Sequence, residues 1–173
     1  MSYVLAIDQG TTSTRAIVFD KDLQIVASSQ KEIEQFFPFA GWVEHDLEEI
    51  YATVIATVRN AVKGAKISSQ DILSIGITNQ RETTAIWSAE SGQALSKAIV
   101  WQDRRTSEFC NELKKNGKER VYQRKTGLLI DPYFSATKVK WLLDKYDPER
   151  NKANSGKLLF GTIDCYLIWR LTN

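Results

Sequence analysis

The first thirty residues limit the possible folds more than any other part of the sequence. Three segments rich in Val, Ile and Leu follow one another, from Tyr3 to Asp8, from Thr14 to Asp20 and from Leu23 to Ser29. Each has the composition of a β-strand, and only short polar turns separate them. Strands joined in this way pair antiparallel, because a parallel connection needs a much longer crossover. The sequence therefore predicts a three-strand antiparallel meander at the start of the chain.

A helix is predicted after the meander. Asp46 suits the N-cap position, and Glu49 stands three residues on, as in a capping box. Apolar residues at helical spacing then form one face that we expect to cover the sheet: Ile50, Val54, Val58 and Ala61. Gly64 is predicted to end this helix.

Strands and helices alternate in the rest of the chain. The continuous apolar run from Ile72 to Thr78 predicts a strand buried on both faces. The further predicted elements are strands at Thr83 to Trp87, Ala98 to Trp101 and Lys157 to Phe160, a helical region at Arg104 to Lys125, a helix at Phe134 to Tyr146, and a last helix from Thr162, its cap, to about Leu171. The last helix is apolar around most of its circumference, so we expect cover from residues beyond Asn173 or from another subunit. The pattern predicts an α/β fold with a mixed sheet and helices on both faces.

Composition excludes several classes of protein. A length of 173 residues predicts one core, and 43% hydrophobic with 25% charged residues is typical of globular chains. The net charge is +2, from 23 basic and 21 acidic residues without a long run of one sign, so no nucleic-acid or membrane surface is indicated. Cys110 and Cys165 stand far apart, which favours free thiols in the cytoplasm. We also expect no membrane span.

The turn between the first two strands carries groups that suit a phosphate. The segment from Asp8 to Arg15 combines a carboxylate, a glycine, the hydroxyls of Thr11, Thr12 and Ser13, and a cation. Hydroxyls and backbone N–H groups can hold phosphate oxygens, and Asp8 can face Mg²⁺, which prefers oxygen ligands. The alternative is an ordinary hairpin turn, in which Gly and Thr are common.

A second polar segment, from Asn79 to Thr84, lies between two predicted strands. Arg81 and Glu82 are expected to emerge together at a sheet edge, the usual ligand side of α/β folds. A guanidinium donates several hydrogen bonds and a carboxylate accepts them, so the pair suits neighbouring hydroxyls of a polyol. The alternative is a surface ion pair.

Two aromatic residues are candidates for the same ligand. Trp101 ends a predicted strand and is either a wall for substrate carbon or a core residue. Tyr133 follows Asp131-Pro132, and its hydroxyl either binds a substrate oxygen or reaches solvent from the core. His45, the only histidine, is assigned no catalytic role.

Six segments in this order resemble the FGGY family of carbohydrate kinases over nearly the whole chain. They are Asp8 to Arg15, Gly41 to Asp46, Asn79 to Thr84, Ala98 to Thr106, Asp131 to Lys138, and Gly161 to Asp164. The resemblance implies an actin-like, ribonuclease H-like fold with two domains, of which residues 1–173 would supply most of the first. The domain that holds adenosine and the aspartate that acts as catalytic base would lie beyond Asn173, so the chain alone is expected to be inactive.

The resemblance also implies ligands. The family members most similar in these segments phosphorylate glycerol with ATP and Mg²⁺, giving sn-glycerol 3-phosphate and ADP. By matching position, Arg81, Glu82 and Tyr133 would bind glycerol hydroxyls and Trp101 its carbon. Asp8, Thr11, Thr12, Ser13 and Arg15 would form the phosphate and Mg²⁺ side. The whole protein is expected to be a homo-oligomer.

Three other functions remain open on the sequence. A kinase of another polyol or sugar would share most of the segments. A ribonuclease H-like nuclease also starts with an aspartate on a strand, but it needs further carboxylates on neighbouring strands, and the segment ending at Thr78 has none. A sugar-binding actin-like module could keep the polyol residues without phosphoryl transfer.

Overall fold

The computed structural model describes residues 2–172 and has an α/β fold. The strands are β1 (Tyr3–Gln9), β2 (Ser13–Phe19), β3 (Ile25–Glu32), β4 (Glu44–His45), β5 (Ile72–Asn79), β6 (Thr84–Ser88), β7 (Ala98–Ile99) and β8 (Leu158–Thr162). The helices are α1 (Leu47–Ala65), α2 (Ser107–Lys115), α3 (Glu119–Thr126), α4 (Ser135–Tyr146), α5 (Asn151–Asn154) and α6 (Ile163–Thr172), with a 3₁₀ turn at Ser69–Asp71. Within the described residues, no helix is long and apolar enough to span a bilayer.

The chain divides into two compact units, where the sequence predicted one core. The first unit contains the described residues up to Gln35, then Asp46–Gln80, and the residues from Ile163 onward. The second unit contains Phe36–His45 and Arg81–Thr162. Each unit is therefore discontinuous in sequence, which a reading of local patterns does not reveal.

The first unit contains a four-stranded mixed sheet in the order β3-β2-β1-β5. β1 and β2 pair antiparallel, as do β2 and β3, so the predicted meander is confirmed. β5 pairs parallel with β1, which makes the sheet mixed. Leu5, Ala16 and Val18 pack with Ala61 of α1 in the core of this unit.

α1 begins where the sequence predicts and ends later. The Asp46 side chain accepts hydrogen bonds from the backbone N–H groups of Glu48 and Glu49, which satisfies donors that the first helical turn leaves open. The C-cap is Lys66 in the left-handed conformation, and the prediction of a stop at Gly64 is wrong. Gly64 lies inside the helix, where an added Cβ would stand 3.5 Å from the Ala27 side chain. This is an ordinary contact distance, so the packing at this position would also accept an alanine.

β5 forms as predicted, but the expectation that it is buried on both faces is wrong. It lies at the edge of the sheet, and Leu73 and Ile75 are 73% and 54% exposed. An apolar run is compatible with a central strand or an edge strand, because such residues favour the pleated strand conformation even where one face stays exposed.

α6 is held to α1 by a polar cluster at its end. Arg170 Nη1 donates to Glu48 Oε1 at 2.6 Å, and the Tyr166 hydroxyl donates to the same oxygen at 3.1 Å. Burial raises the pKa of Tyr166 to about 12. Ile163, Tyr166 and Leu167 are buried, whereas Ile168 and Leu171 are exposed. The cover expected for the exposed side of this helix stays a prediction.

The second unit contains an antiparallel sheet in the order β4-β7-β6-β8. Ile86 of β6 and Ile99 of β7 pack with Leu142 of α4 and with Leu158. The helical region predicted from Arg104 to Lys125 is two helices, because the chain breaks at Asn116-Gly117, where Gly117 has a positive φ of 69°.

Candidate functional site

The turn between β1 and β2 is short and tightly closed in the first unit. The Gly10 backbone N–H donates to the Ser13 carbonyl at 2.9 Å. An added Cβ at Gly10 would stand 3.3 Å from that carbonyl oxygen, a tight contact that would require a small shift of the turn. The turn therefore places Thr11, Thr12 and Ser13 on a closely folded stretch of backbone.

The strand registers place the two charged residues of this segment side by side. Asp8 of β1 lies opposite Arg15 of β2 and, across the parallel pair, opposite Thr78 of β5. Both Asp8 and Arg15 are exposed. Because side chains alternate between the faces of a strand, these three residues share one face. That face is polar at the end of β1, whereas the opposite face is buried against α1.

Glutamine side chains support this region, although no pattern in the sequence predicts such a role for them. Gln30 Oε1 accepts from Arg15 Nε at 2.9 Å and Nη2 at 2.7 Å, while Gln30 Nε2 donates to Ser13 Oγ at 3.0 Å. Gln35 Nε2 donates to the Thr11 carbonyl at 3.0 Å. The Gln30 amide thus hydrogen-bonds both Arg15, the predicted phosphate-binding cation, and the Ser13 hydroxyl.

Gln80 supports the same turn from the end of β5. Its backbone N–H donates to the Gln9 carbonyl at 2.7 Å, and its Nε2 donates to Gln9 Oε1 at 3.0 Å and to the Gly10 carbonyl at 3.2 Å. Gln80 stands in the polar segment from Asn79 to Thr84. That segment therefore contributes to the turn as well as to the predicted polyol residues.

Asp8 is the candidate ligand for a divalent cation. The described residues contain no group of three or more His, Cys, Asp or Glu side chains that could hold a metal ion. Mg²⁺ in phosphoryl-transfer sites is commonly bound by one or two carboxylates together with phosphates and water. An exposed Asp8 beside Thr78 fits that hard oxygen donor set, and it does not fit an all-protein metal cage.

Arg81 and Glu82 open the larger segment of the second unit, and they do not form the ion pair that the sequence left as an alternative. Glu82 has a positive φ of 66°, and its Oε2 accepts from the Ser135 backbone N–H at 2.8 Å and from Ser135 Oγ at 2.6 Å. Arg81 is exposed. The carboxylate keeps further acceptor capacity, because its two oxygens offer about four lone-pair sites.

The expectation that Arg81 and Glu82 lie between two buried strands at one sheet edge is wrong. β5 is exposed, and β5 and β6 belong to different sheets. The pair opens the segment Arg81–Thr162 of the second unit, after a change of sheet that strand patterns alone do not mark.

Trp101 and Tyr133 are neighbours in the second unit. Their ring centroids are 5.9 Å apart with an interplanar angle of 67°, an edge-to-face arrangement. The Trp101 backbone N–H donates to Thr83 Oγ1 at 3.3 Å, and the Tyr133 backbone N–H donates to Asp131 Oδ1 at 2.8 Å. Both side chains are half-buried, so neither is a pure core residue.

Lys138 joins the segments that carry Glu82 and Tyr133, and the sequence did not point to it. Its Nζ donates to the Glu82 carbonyl at 3.2 Å and to the Tyr133 carbonyl. The residue is completely buried on α4. Burial lowers the pKa of Lys138 to about 8, against the opposite effect of Glu82, Asp103, Asp131 and Cys110. The second unit thus connects Glu82, Tyr133 and Trp101 through one lysine and one aromatic contact.

His45 and the two cysteines lie outside both groups of predicted site residues. His45 is fully buried in β4, consistent with a structural residue. Neither Cys110, which is buried, nor Cys165, which is exposed, forms a disulfide within the described part of the chain.

Comparisons with known proteins agree with the fold. Solved structures of similar fold include Plasmodium falciparum glycerol kinase with ADP, with a TM-score of 0.86 and 36% identity over 99% of this chain. A gluconate kinase from Lactobacillus acidophilus has a TM-score of 0.83 at 24% identity over 98% of this chain, which supports the fold alone. This chain covers 34% and 33% of those two chains. The fold is therefore that of the actin-like ATPases.

Sequence comparisons identify the family within that fold. Residues 3–173 match the N-terminal domain of the FGGY family of carbohydrate kinases, and the chain belongs to this family. A glycerol kinase of Rhodopseudomonas palustris is 60% identical over 99% of the chain, and one of Rhizobium meliloti is 58% identical over 98%. The chain spans about a third of the length of these relatives, 34% in both cases.

Proposed function

We propose that the whole protein transfers the γ-phosphoryl group of ATP to glycerol, giving sn-glycerol 3-phosphate and ADP. The observation that carries the proposal is the connected group of Glu82, Trp101 and Tyr133 beside an exposed Arg81. Donors, acceptors and an aromatic face are what a small polyol requires. The names of the 60% and 58% identical relatives support glycerol over a larger sugar.

Each of the four proposed polyol-binding residues offers the substrate a different kind of contact. The Arg81 guanidinium donates to substrate oxygens, and the Glu82 carboxylate accepts from the hydroxyl protons. The Tyr133 hydroxyl can do either. The Trp101 ring packs against the carbon chain of the substrate, which favours a bound polyol over water at this site.

The phosphate side is proposed to lie at the turn after β1. Thr11, Thr12 and Ser13 offer hydroxyls and backbone N–H groups to phosphate oxygens, and Arg15 offers a cation. Asp8 would hold Mg²⁺, which when bound offsets charge on the phosphates. The protein's contribution to phosphoryl transfer is mainly positioning and charge stabilisation. The catalytic base implied by the resemblance lies outside residues 1–173.

The location and assembly of the protein are proposed from two further features of the chain. The exposed thiol of Cys165 suits a reducing compartment, which favours the cytoplasm. The exposed apolar residues Ile168 and Leu171 of α6 suit a homo-oligomer or a further part of the same protein. Glycerol and ATP or ADP are the proposed small-molecule partners, and no nucleic acid is proposed.

A chimera tests the proposal. Residues 1–173 replace the matched third of the Rhodopseudomonas palustris glycerol kinase, and phosphorylation of glycerol, xylulose and gluconate is measured by coupled ADP release. Activity confined to glycerol supports the proposal. A preference for xylulose or gluconate, or a folded chimera without activity on glycerol, contradicts it.

Arg81→Ala in the chimera tests the site itself. Loss of a charge-assisted donor costs about 1.5–3 kcal/mol, so kcat/KM for glycerol should fall by about ten- to a few hundredfold. Arg124→Ala, on the exposed face of α3, is the matched control and should leave kcat/KM unchanged. If Arg81→Ala keeps the parent value while folded, Arg81 is a surface charge and the polyol site is misplaced.

A further inference from the structure

Lys138 is a buried cation whose side-chain hydrogen bonds go to main-chain oxygens. Its Nζ donates to the carbonyls of Glu82 and Tyr133, which lie 56 and 5 residues away in sequence. A lysine is almost never fully buried, because desolvating its charge is costly. A methionine would fill a similar volume without that cost. The amine therefore has a use that packing does not explain.

The two acceptors belong to the proposed polyol site. Glu82 adopts a left-handed backbone conformation, with φ of 66°, which is uncommon for a residue with a side chain. Such a conformation persists where surrounding contacts determine it. Lys138 holds the carbonyl of Glu82, and Ser135 holds its carboxylate through a backbone N–H and a hydroxyl at 2.8 and 2.6 Å. Both supporting residues come from the first turns of α4.

We propose that Lys138 is a positioning residue that sets the separation and orientation of Glu82 and Tyr133 for a bound polyol. This inference rests on the proposed function, because it names how the same site is held. α4 is anchored independently of Lys138, since Thr137 Oγ1 lies 2.8 Å from Thr106 Oγ1 and Leu142 packs in the core. α4 is thus held in place without Lys138. Lys138 in turn fixes the backbone of Glu82 and Tyr133 relative to α4.

The kinetic test uses the chimera defined above with Lys138→Met, which keeps the chain length and removes the donor. The KM for glycerol should rise at least about tenfold, while the KM for ATP changes less than about twofold. Lys138→Gln, which retains a shorter donor, should recover part of the loss. Lys140→Met, an exposed neighbour on α4, is the matched control. A glycerol KM that is unchanged in folded Lys138→Met overturns the inference, as does an equal rise in both KM values.

A second measurement separates this inference from the proposed function. Amide hydrogen exchange and ¹⁵N relaxation are recorded on the 173-residue chain with and without Lys138→Met. Faster exchange and larger motion confined to the segments around Glu82 and Tyr133 support the positioning role even if the parent chimera proves inactive. Unchanged values there overturn it, and so does loosening spread evenly over the second unit. Should Lys138→Met not fold, the same comparison is made with Lys138→Gln.

Discussion

Arg105 forms a two-point ion pair with the buried carboxylate of Asp103. Nε lies 2.9 Å from Oδ1 and Nη2 lies 2.8 Å from Oδ2, and the two side chains are 2% and 1% exposed. Arg105 also pairs with Glu44 at 2.8 Å and stacks 3.7 Å from the Trp42 ring centroid. Asp103 accepts from the Val43 N–H at 2.7 Å. The pair therefore fixes the segment before β4 to the segment after β7, and it belongs to the fold of the second unit.

Arg105→Met should destabilise the chain strongly. Removing one partner of a buried pair leaves the other charge uncompensated, which costs about 3–5 kcal/mol. Urea unfolding at pH 7 measures the loss. Arg104→Met is the control, because the Arg104 side chain is 58% exposed and its ion pair with Asp131 is long, at 3.5 Å. A loss for Arg105→Met no larger than for Arg104→Met would show that the network is not stabilising.

A double variant isolates the charge from the packing. Asp103→Asn combined with Arg105→Met removes both charges, so it should be less destabilised than the sum of the two single changes. Simple additivity would mean that the two side chains do not interact energetically.

Ser135→Ala should weaken glycerol use more than it weakens folding. The change removes the 2.6 Å hydrogen bond from Ser135 Oγ to the Glu82 carboxylate, and the Ser135 backbone N–H remains as one donor. In the chimera we expect the glycerol KM to rise about three- to tenfold, corresponding to about 1 kcal/mol. Ser135→Thr keeps the hydroxyl and should stay near the parent. Equal KM values for Ala and parent would remove Ser135 from the support of the site.

Local features of the sequence predicted the elements well. The meander and the Asp46 cap depend on neighbours within a few residues, and both are confirmed. The candidate residues Glu82, Trp101 and Tyr133 stand in three separate segments of the sequence, and the structure connects them. Their proximity is compatible with a common site, and their role in binding a polyol stays a prediction.

Long-range relationships were not predictable in the same way. The burial of β5 and the number of cores depend on which strands become neighbours, and a continuous apolar run does not contain that information. Lys138 looks like a surface lysine in sequence, since its partners are backbone carbonyls that any residue supplies. Gln30 and Gln35 were not predictable for a similar reason, because glutamines that support a turn have no characteristic spacing in the sequence.

The isolated 173-residue chain should show no measurable glycerol kinase activity. It spans about a third of its relatives, 34% of the Rhodopseudomonas palustris protein, and the resemblance puts the base and the adenosine-binding domain outside it. The measurement is glycerol-dependent ADP release from protein free of host kinase, with the chimera as positive control. Turnover above a no-protein blank would show that residues 1–173 suffice for the reaction.

The pH dependence of stability should report two buried groups with opposite signs. Burial lowers the pKa of Lys138 to about 8 from 10.5, so between these values the unfolded chain binds a proton that the folded chain does not. Stability contributed by this group therefore rises as the pH rises from about 8 to 10.5. Burial raises the pKa of Tyr166 to about 12 from 10.0, so the folded chain keeps a proton that the unfolded chain loses, and stability falls between about 10 and 12.

Urea unfolding of the chain and of two variants from pH 7.5 to pH 11 measures these contributions. The stability difference between the parent and Lys138→Met should change in favour of the parent as the pH rises above about 8. The difference between the parent and Tyr166→Phe should change against the parent above about pH 10. Lys125→Met, at an exposed lysine of α3, is the surface control measured over the same pH range. A difference for Lys138→Met that is flat across the whole range would mean that the buried amine titrates as it does in the unfolded chain, and the lowered pKa would be wrong.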